Sequence, residues 1–287
     1  MAARSYYSPS GKFWPPGLAL AALAAPIAAA VVGIVYAYAI IYIPIGGWIT
    51  FLLAIGAGFG MGALSGTLIR AGKIRNAALS HFVGALAGFA GFYVSWAVWT
   101  SLLLQRGGVP ELGLAYFATR PGEMWETIQG INAVGPWEME GMTPTGGFLW
   151  FLWSLEALMI LGPAIAMVTF MDGPFCENCG VWCETDEELG RTAQEAGNGE
   201  LQSAAEDGNW NYYRALAPAS SETYFIKVSC ESCPSCGETN VLKTARVTAS
   251  VDDNGNRQEN ADTIFEGLII GSGDKAELRA ALSNFAP

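Results

Sequence analysis

The residues whose types and spacing could do chemistry are cysteines. Cys176-Glu177-Asn178-Cys179-Gly180 and Cys233-Pro234-Ser235-Cys236-Gly237 carry one five-residue pattern, Cys-x-x-Cys-Gly, twice. Two cysteines separated by two residues can place both sulfurs on one ion while the backbone turns around them, and a glycine after the second helps the turn. Two such pairs supply four thiolates, the full shell of a tetrahedral Zn2+. Cys176, Cys179, Cys233 and Cys236 are therefore the candidate ligands of one structural zinc ion. A shell made wholly of protein sulfur leaves no position for water or substrate, so such a metal folds a protein rather than catalysing a reaction. Cys183 and Cys230 are left over. Three uses stay open for them: replacing a neighbouring ligand, forming a redox pair with each other, or packing as small hydrophobes. Six thiols cannot fill two four-sulfur sites.

With strand-forming sequence around the second pair, the two knuckles resemble those of the zinc-ribbon family. In that family two knuckles at the ends of a small antiparallel sheet clamp one structural zinc. The resemblance covers the knuckles and the strands beside the second, with residues 184 to 229 standing between them as a long insertion. It implies a ribbon-like module, not a whole protein.

The elements that must position these cysteines are of two kinds. The chain has 287 residues, 52% of them hydrophobic and only 14% charged, a composition that points to a membrane. Leu18 to Ile45, Trp48 to Ile69, Ala77 to Leu104 and Phe148 to Met171 are apolar stretches. Each reaches the roughly 20 residues that a helix needs to cross about 30 Å of hydrocarbon. The first is read as a retained anchor rather than a secretory signal, because its apolar run is long and three more spans follow. Residues 1–171 are thus expected to form a four-helix transmembrane domain with an outward loop at 105–147, and residues 172–287 a small cytoplasmic α+β zinc-ribbon-like domain. The tail holds 20 Asp and Glu against 8 Lys and Arg. Such acidity argues against a nucleic-acid partner, since binding a phosphate backbone rests on Lys and Arg.

Orientation follows from the cations. Arg70, Lys73 and Arg75 crowd the connection between the second and third spans, and Arg4 and Lys12 precede the first. The positive-inside rule puts both on the cytoplasmic side of an inner (plasma) membrane, and a fourth crossing returns the tail there. Cytoplasmic thiols stay reduced, which favours metal ligation over disulfides. Pro44 to Gly47 is read as a tight helical hairpin turn, and Pro121 as the start of a short interfacial helix within the outer loop. In the tail, Thr185-Asp186-Glu187-Glu188-Leu189 reads as a capped helix start. Tyr224 to Val228, Val241 to Val251 and Thr263 to Ile270 read as strands, Asp252 to Asn256 as a turn, and Asp274 to Leu282 as a closing helix.

Two further sets of residues lie within the spans. Glu156 is an intramembrane carboxylate, costly unless protonated or paired, with His81 or a hydroxyl as candidate partner. It reads either as a proton or ion relay or as a hydrogen bond that locks the bundle. Gly58, Gly62 and Gly66, with Gly84, Gly88 and Gly91, form small-residue stripes. These are expected to pack against each other or against another subunit, alongside the surrounding lipid bilayer. The chain lacks GxxxxGK[ST], GxSxG and HExxH, and its single histidine is on the wrong element to serve a nucleophile. The expected role is a non-enzymatic membrane scaffold or adaptor subunit. The alternatives are a transporter or channel component using Glu156, and a thiol-based redox or metal sensor.

Overall fold

Small residues set the spacing of the helices. In the computed structural model, which describes residues 4–43, 48–109, 112–138, 141–171, 173–193, 195–219, 221–252 and 256–282, the chain divides into two units. One is Ser10–Asp172 and the other joins Met1–Pro9 to Gly173–Pro287. The expected hairpin turn at Pro44 to Gly47 lies outside the described residues.

The helical unit contains α1 (Pro15–Tyr42), α2 (Trp48–Ala71), α3 (Ala77–Arg106), α4 (Leu114–Thr119), α5 (Pro121–Val134) and α6 (Gly146–Ala166), the last followed by a 3-10 turn, Met167–Met171. Among the described residues four helices, Pro15–Tyr42, Ile49–Ala71, Ala77–Arg106 and Gly146–Thr169, are long and apolar enough to cross a membrane. Along α1 the buried face carries Gly17, Ala21, Ala25, Ala29, Gly33 and Ala37, one small residue every four, with Tyr36 beside the last. Residues four apart share a helix face, so this stripe presents almost bare backbone to its neighbours. The large side chains point the other way, with Leu23, Ile27 and Val35 among the most exposed large apolar residues described. A Cβ on Gly17 would collide with the backbone of Gly72, and one on Gly33 with the carbonyl of Gly91.

The glycine stripes of α2 and α3 do not chiefly meet each other. A Cβ on Gly62 would lie 2.6 Å from the Cβ of Met167, one on Gly84 2.7 Å from Val168 Cγ2, and one on Gly88 3.2 Å from Ala164 Cβ; one on Gly58 would strike the carbonyl of Ile160. Both stripes therefore converge on α6 and the turn after it. Gly91 instead approaches α1 and Met61, and Gly66 is buried. At the far end of α2, Lys73 takes φ 51 and Ile74 N–H bonds the Ile69 carbonyl at 3.2 Å, closing the helix. Asn76 then caps α3 by accepting from Leu79 N–H at 3.0 Å. Helix α5 begins at Pro121, as expected, and lays Met124, Ile128 and Ile131 on a cluster containing Phe117, Leu149 and Trp153.

The second unit is an antiparallel sheet in the order β3 (Glu184–Thr192), β4 (Tyr224–Ser232), β5 (Asn240–Val251), β6 (Arg257–Ile270), preceded by a two-residue hairpin, β1 (Phe175–Cys176) with β2 (Val181–Trp182). Helices α7 (Asn198–Asp207), α8 (Trp210–Ala215) and α9 (Ser272–Leu282) contribute Leu201, Tyr213 and Leu278 to a core shared with Ile226, Leu242 and Leu268 of the sheet. Strand β3 stands where Thr185 to Leu189 were expected to open a helix. Pairing with β4 overrides that local signal: Leu189 is buried in the sheet core, and Glu188 is held by Arg191 and Lys227. The three central residues of the expected turn at Asp252 to Asn256 lie outside the described residues; at its ends Asn256 N–H donates to the Asp252 carboxylate at 2.8 Å.

A boundary at residue 172 leaves out the N-terminal arm. Tyr6 bridges Leu268, Ile269 N–H bonds the Ser5 carbonyl at 3.0 Å, and Arg4 reaches Asp274 at 2.7 Å, so the arm lines the outer edge of β6. Asp274 also accepts from Trp210 Nε1 at 3.0 Å and from Gly271 N–H at 3.2 Å. Burial alone would raise its carboxyl, but these donors outweigh burial and hold it below the ordinary carboxylate range.

Two outcomes follow. Gly33→Val should destabilise the helical unit by about 3 kcal/mol, because the collision is with backbone that cannot turn aside; Gly56→Val, where a Cβ meets nothing within 4 Å, should change little, as thermal unfolding in detergent would report. Asp274→Asn should weaken the sheet unit at neutral pH by about 2 kcal/mol. A carboxyl lowered by folding stabilises above its unfolded value, so that deficit should close as pH falls through the lowered folded-state value, checked by denaturant titrations at several pH values.

Candidate metal centre

Each knuckle is a turn closed by its own glycine. Gly180 N–H donates to the Cys176 carbonyl at 2.8 Å and Gly237 N–H to the Cys233 carbonyl at 3.0 Å. The two glycines take φ 67 and φ 66, a left-handed conformation that a side chain disfavours. The first turn links β1 to β2, and the second is the tip of the β4–β5 hairpin. Both pairs of sulfurs converge. The Sγ atoms of Cys176, Cys179, Cys233 and Cys236 all lie within 4.8 Å of one another, and those of Cys176 and Cys236 are 3.8 Å apart. A tetrahedron with zinc–sulfur arms of about 2.3 Å has sulfur–sulfur edges of about 3.8 Å. The donor set and its spacing fit a thiophilic divalent cation, and all six cysteines are free thiols.

Electrostatics lead to the same chemistry. Four thiolates this close cannot all carry charge without a cation, so protons are shared unequally. A hydrogen bond from Thr239, assisted by the Cys179 N–H, brings Cys176 down to about 6. Hydrogen bonding with the Cys236 sulfur, together with burial, pushes Cys179 up to about 12. The N–H groups of Cys236 and Ser235 lower Cys233. Glu238 N–H adds a donor 3.4 Å from the Cys236 sulfur. These backbone donors are the outer shell that orients and tunes metal-bound sulfur.

The remaining cysteines fall in different buried clusters. Cys183 is buried beside Cys176 and Cys233, its sulfur 4.0 Å from the Thr239 carbonyl, and burial pushes its thiol up to about 12. Cys230 is fully buried in the sheet core with Val228 and Leu242, where its sulfur lies 3.7 Å from Ser232 Oγ. Neither belongs to the four-sulfur group. In the helical unit, Tyr36 O–H donates to Glu156 Oε1 at 2.7 Å, joining α1 to α6. Of the two candidate partners for Glu156 it is the hydroxyl that is found. His81 pairs instead with Thr169 Oγ1 at 3.0 Å and the Ala77 carbonyl at 2.7 Å. Sequence reasoning missed Thr239, Ser235 and Glu238 as supports of the sulfurs. Their place in and just after the second knuckle is the signal that could have found them.

Zinc uptake by metal-free protein at pH 7 should expel at least one proton per ion, since Cys179 starts protonated. Calorimetry in buffers of different ionisation enthalpy measures it, and acidification should reverse the uptake. Comparisons with protein-family models, with curated proteins and with solved structures gave no match.

Proposed function

We propose that this chain is a multi-pass inner (plasma) membrane protein that acts as a scaffold or adaptor subunit, presenting a zinc-folded docking domain to the cytoplasm. The observation that carries this reading is the closed four-sulfur group, which lies a few residues beyond the last apolar helix. One Zn2+ held there ties the chain leaving α6 to the β4–β5 tip, so the metal supports folding and leaves no open position for a reaction. The outward-facing leucine, isoleucine and valine side chains of α1 favour a lipid surround. The N-terminal arm pairs with β6 in the same unit as the tail, which favours an even number of crossings with both ends on one side. Arg70, Lys73 and Arg75 favour the cytoplasm as that side. A sensor working through Cys183 is disfavoured, because a thiol pushed up to about 12 is a poor nucleophile.

Cys233→Ser should lose the zinc and render the tail protease-sensitive, while the four helices stay in the membrane and cross-links from the tail to neighbouring proteins disappear. Limited proteolysis, metal analysis and cross-linking on the same membranes check this. A resistant tail that keeps its zinc, or cross-links that persist unchanged, would contradict the reading.

A further inference from the structure

The helical unit contains a cavity of about 510 Å³ with Tyr36 and Glu156 on its wall. That volume is the size of a site for a small organic molecule. It extends from the middle of α6, where Glu156 stands ten residues or about 15 Å beyond Gly146, to Arg106 at the end of α3 and Trp137 in the connection that follows α5. Three indoles, Trp96, Trp99 and Trp153, line it and hold one another edge to face, with centroids 5.1 Å apart for Trp96 and Trp153 and 5.4 Å for Trp96 and Trp99. Most of the rest of the wall is aliphatic.

Charge decides what such a space would accept. Among the described lining residues the formally charged groups are Glu156, Glu138 and Arg106. Arg106 stacks over the Tyr42 ring at 4.8 Å, and the described lining carries one more acidic than basic group. A carboxylate away from bulk water is costly until a cation pairs with it, and indole rings are the strongest aromatic partners of a cation. The hydroxyl of Tyr36 donates to Glu156 Oε1 at 2.7 Å, which fixes the position of the carboxyl group.

We propose that this cavity binds an apolar organic monocation, such as a protonated hydrophobic amine, with its charge on Glu156 and its body among Trp96, Trp99 and Trp153. The site is independent of the zinc and lies in the other unit.

Tetraphenylphosphonium and tetraphenylborate share shape and apolarity but differ in charge, which makes them suitable probes. Equilibrium dialysis against the full chain in detergent should show saturable binding of the phosphonium at one per chain, at least tenfold tighter than the borate. Glu156→Gln should weaken the phosphonium at least tenfold. Ile41→Trp, which fills the cavity and leaves the carboxylate in place, should weaken it likewise and keeps the test decisive if the first variant does not fold. No saturable phosphonium binding, equal binding of the two ions, or undiminished binding in either folded variant would overturn the proposal.

Discussion

Sulfur crowding is the constraint on which the tail depends. Four thiols from two turns 60 residues apart at their outer ends, Cys176 and Cys236, are brought within 4.8 Å. Their mutual repulsion when ionised can be relieved only by protons or by a cation. The first turn comes after the 3-10 turn that ends the last long helix, and the second is the tip of the β4–β5 hairpin, so what happens at the sulfurs bears on how the chain enters the sheet. Apparent binding free energies of structural zinc, about 10 to 16 kcal/mol in finger peptides, match or exceed the roughly 5 to 15 kcal/mol that holds an ordinary domain folded. A metal of that strength would decide whether the sheet exists.

The helical unit is built on a different balance. Four of its helices are long and apolar enough to cross a membrane, and for such helices in lipid, which offers no hydrophobic contrast, contact would come from close approach and from a few polar links. Gly17 against Gly72, Gly33 against Gly91, and the two glycine stripes against α6 supply the first. Tyr36 with Glu156 and His81 with Thr169 supply the second. The same Glu156 both ties α1 to α6 and stands on the wall of a cavity lined by indoles.

Legibility in the sequence followed the strength of local signals. The four long helices, the strands from Tyr224 onward and the closing helix have patterns that no tertiary contact needs to enforce. So do the knuckles, whose glycines are required by their own turns. Thr185 to Leu189 carries a helix-cap pattern yet forms an edge strand, because its partner β4 lies more than thirty residues away and is invisible to a local reading. Helices α7 and α8 hide in polar sequence, their burial resting on Leu201, Trp210 and Tyr213. The arm from Arg4 to Tyr7 joins the sheet through long-range pairs with Leu268 and Asp274. The α1 stripe from Gly17 to Ala37 went unread despite its four-residue period, and the partner of the α2 and α3 glycines was not legible, since small residues mark a close approach without naming what approaches.

X-ray absorption at the zinc edge, on the intact protein purified without added chelator, reads the ligands of the metal itself. Four sulfur scatterers at about 2.3 Å are the expected shell. A shell containing nitrogen or oxygen, fewer than four sulfurs, or no zinc at all would contradict it.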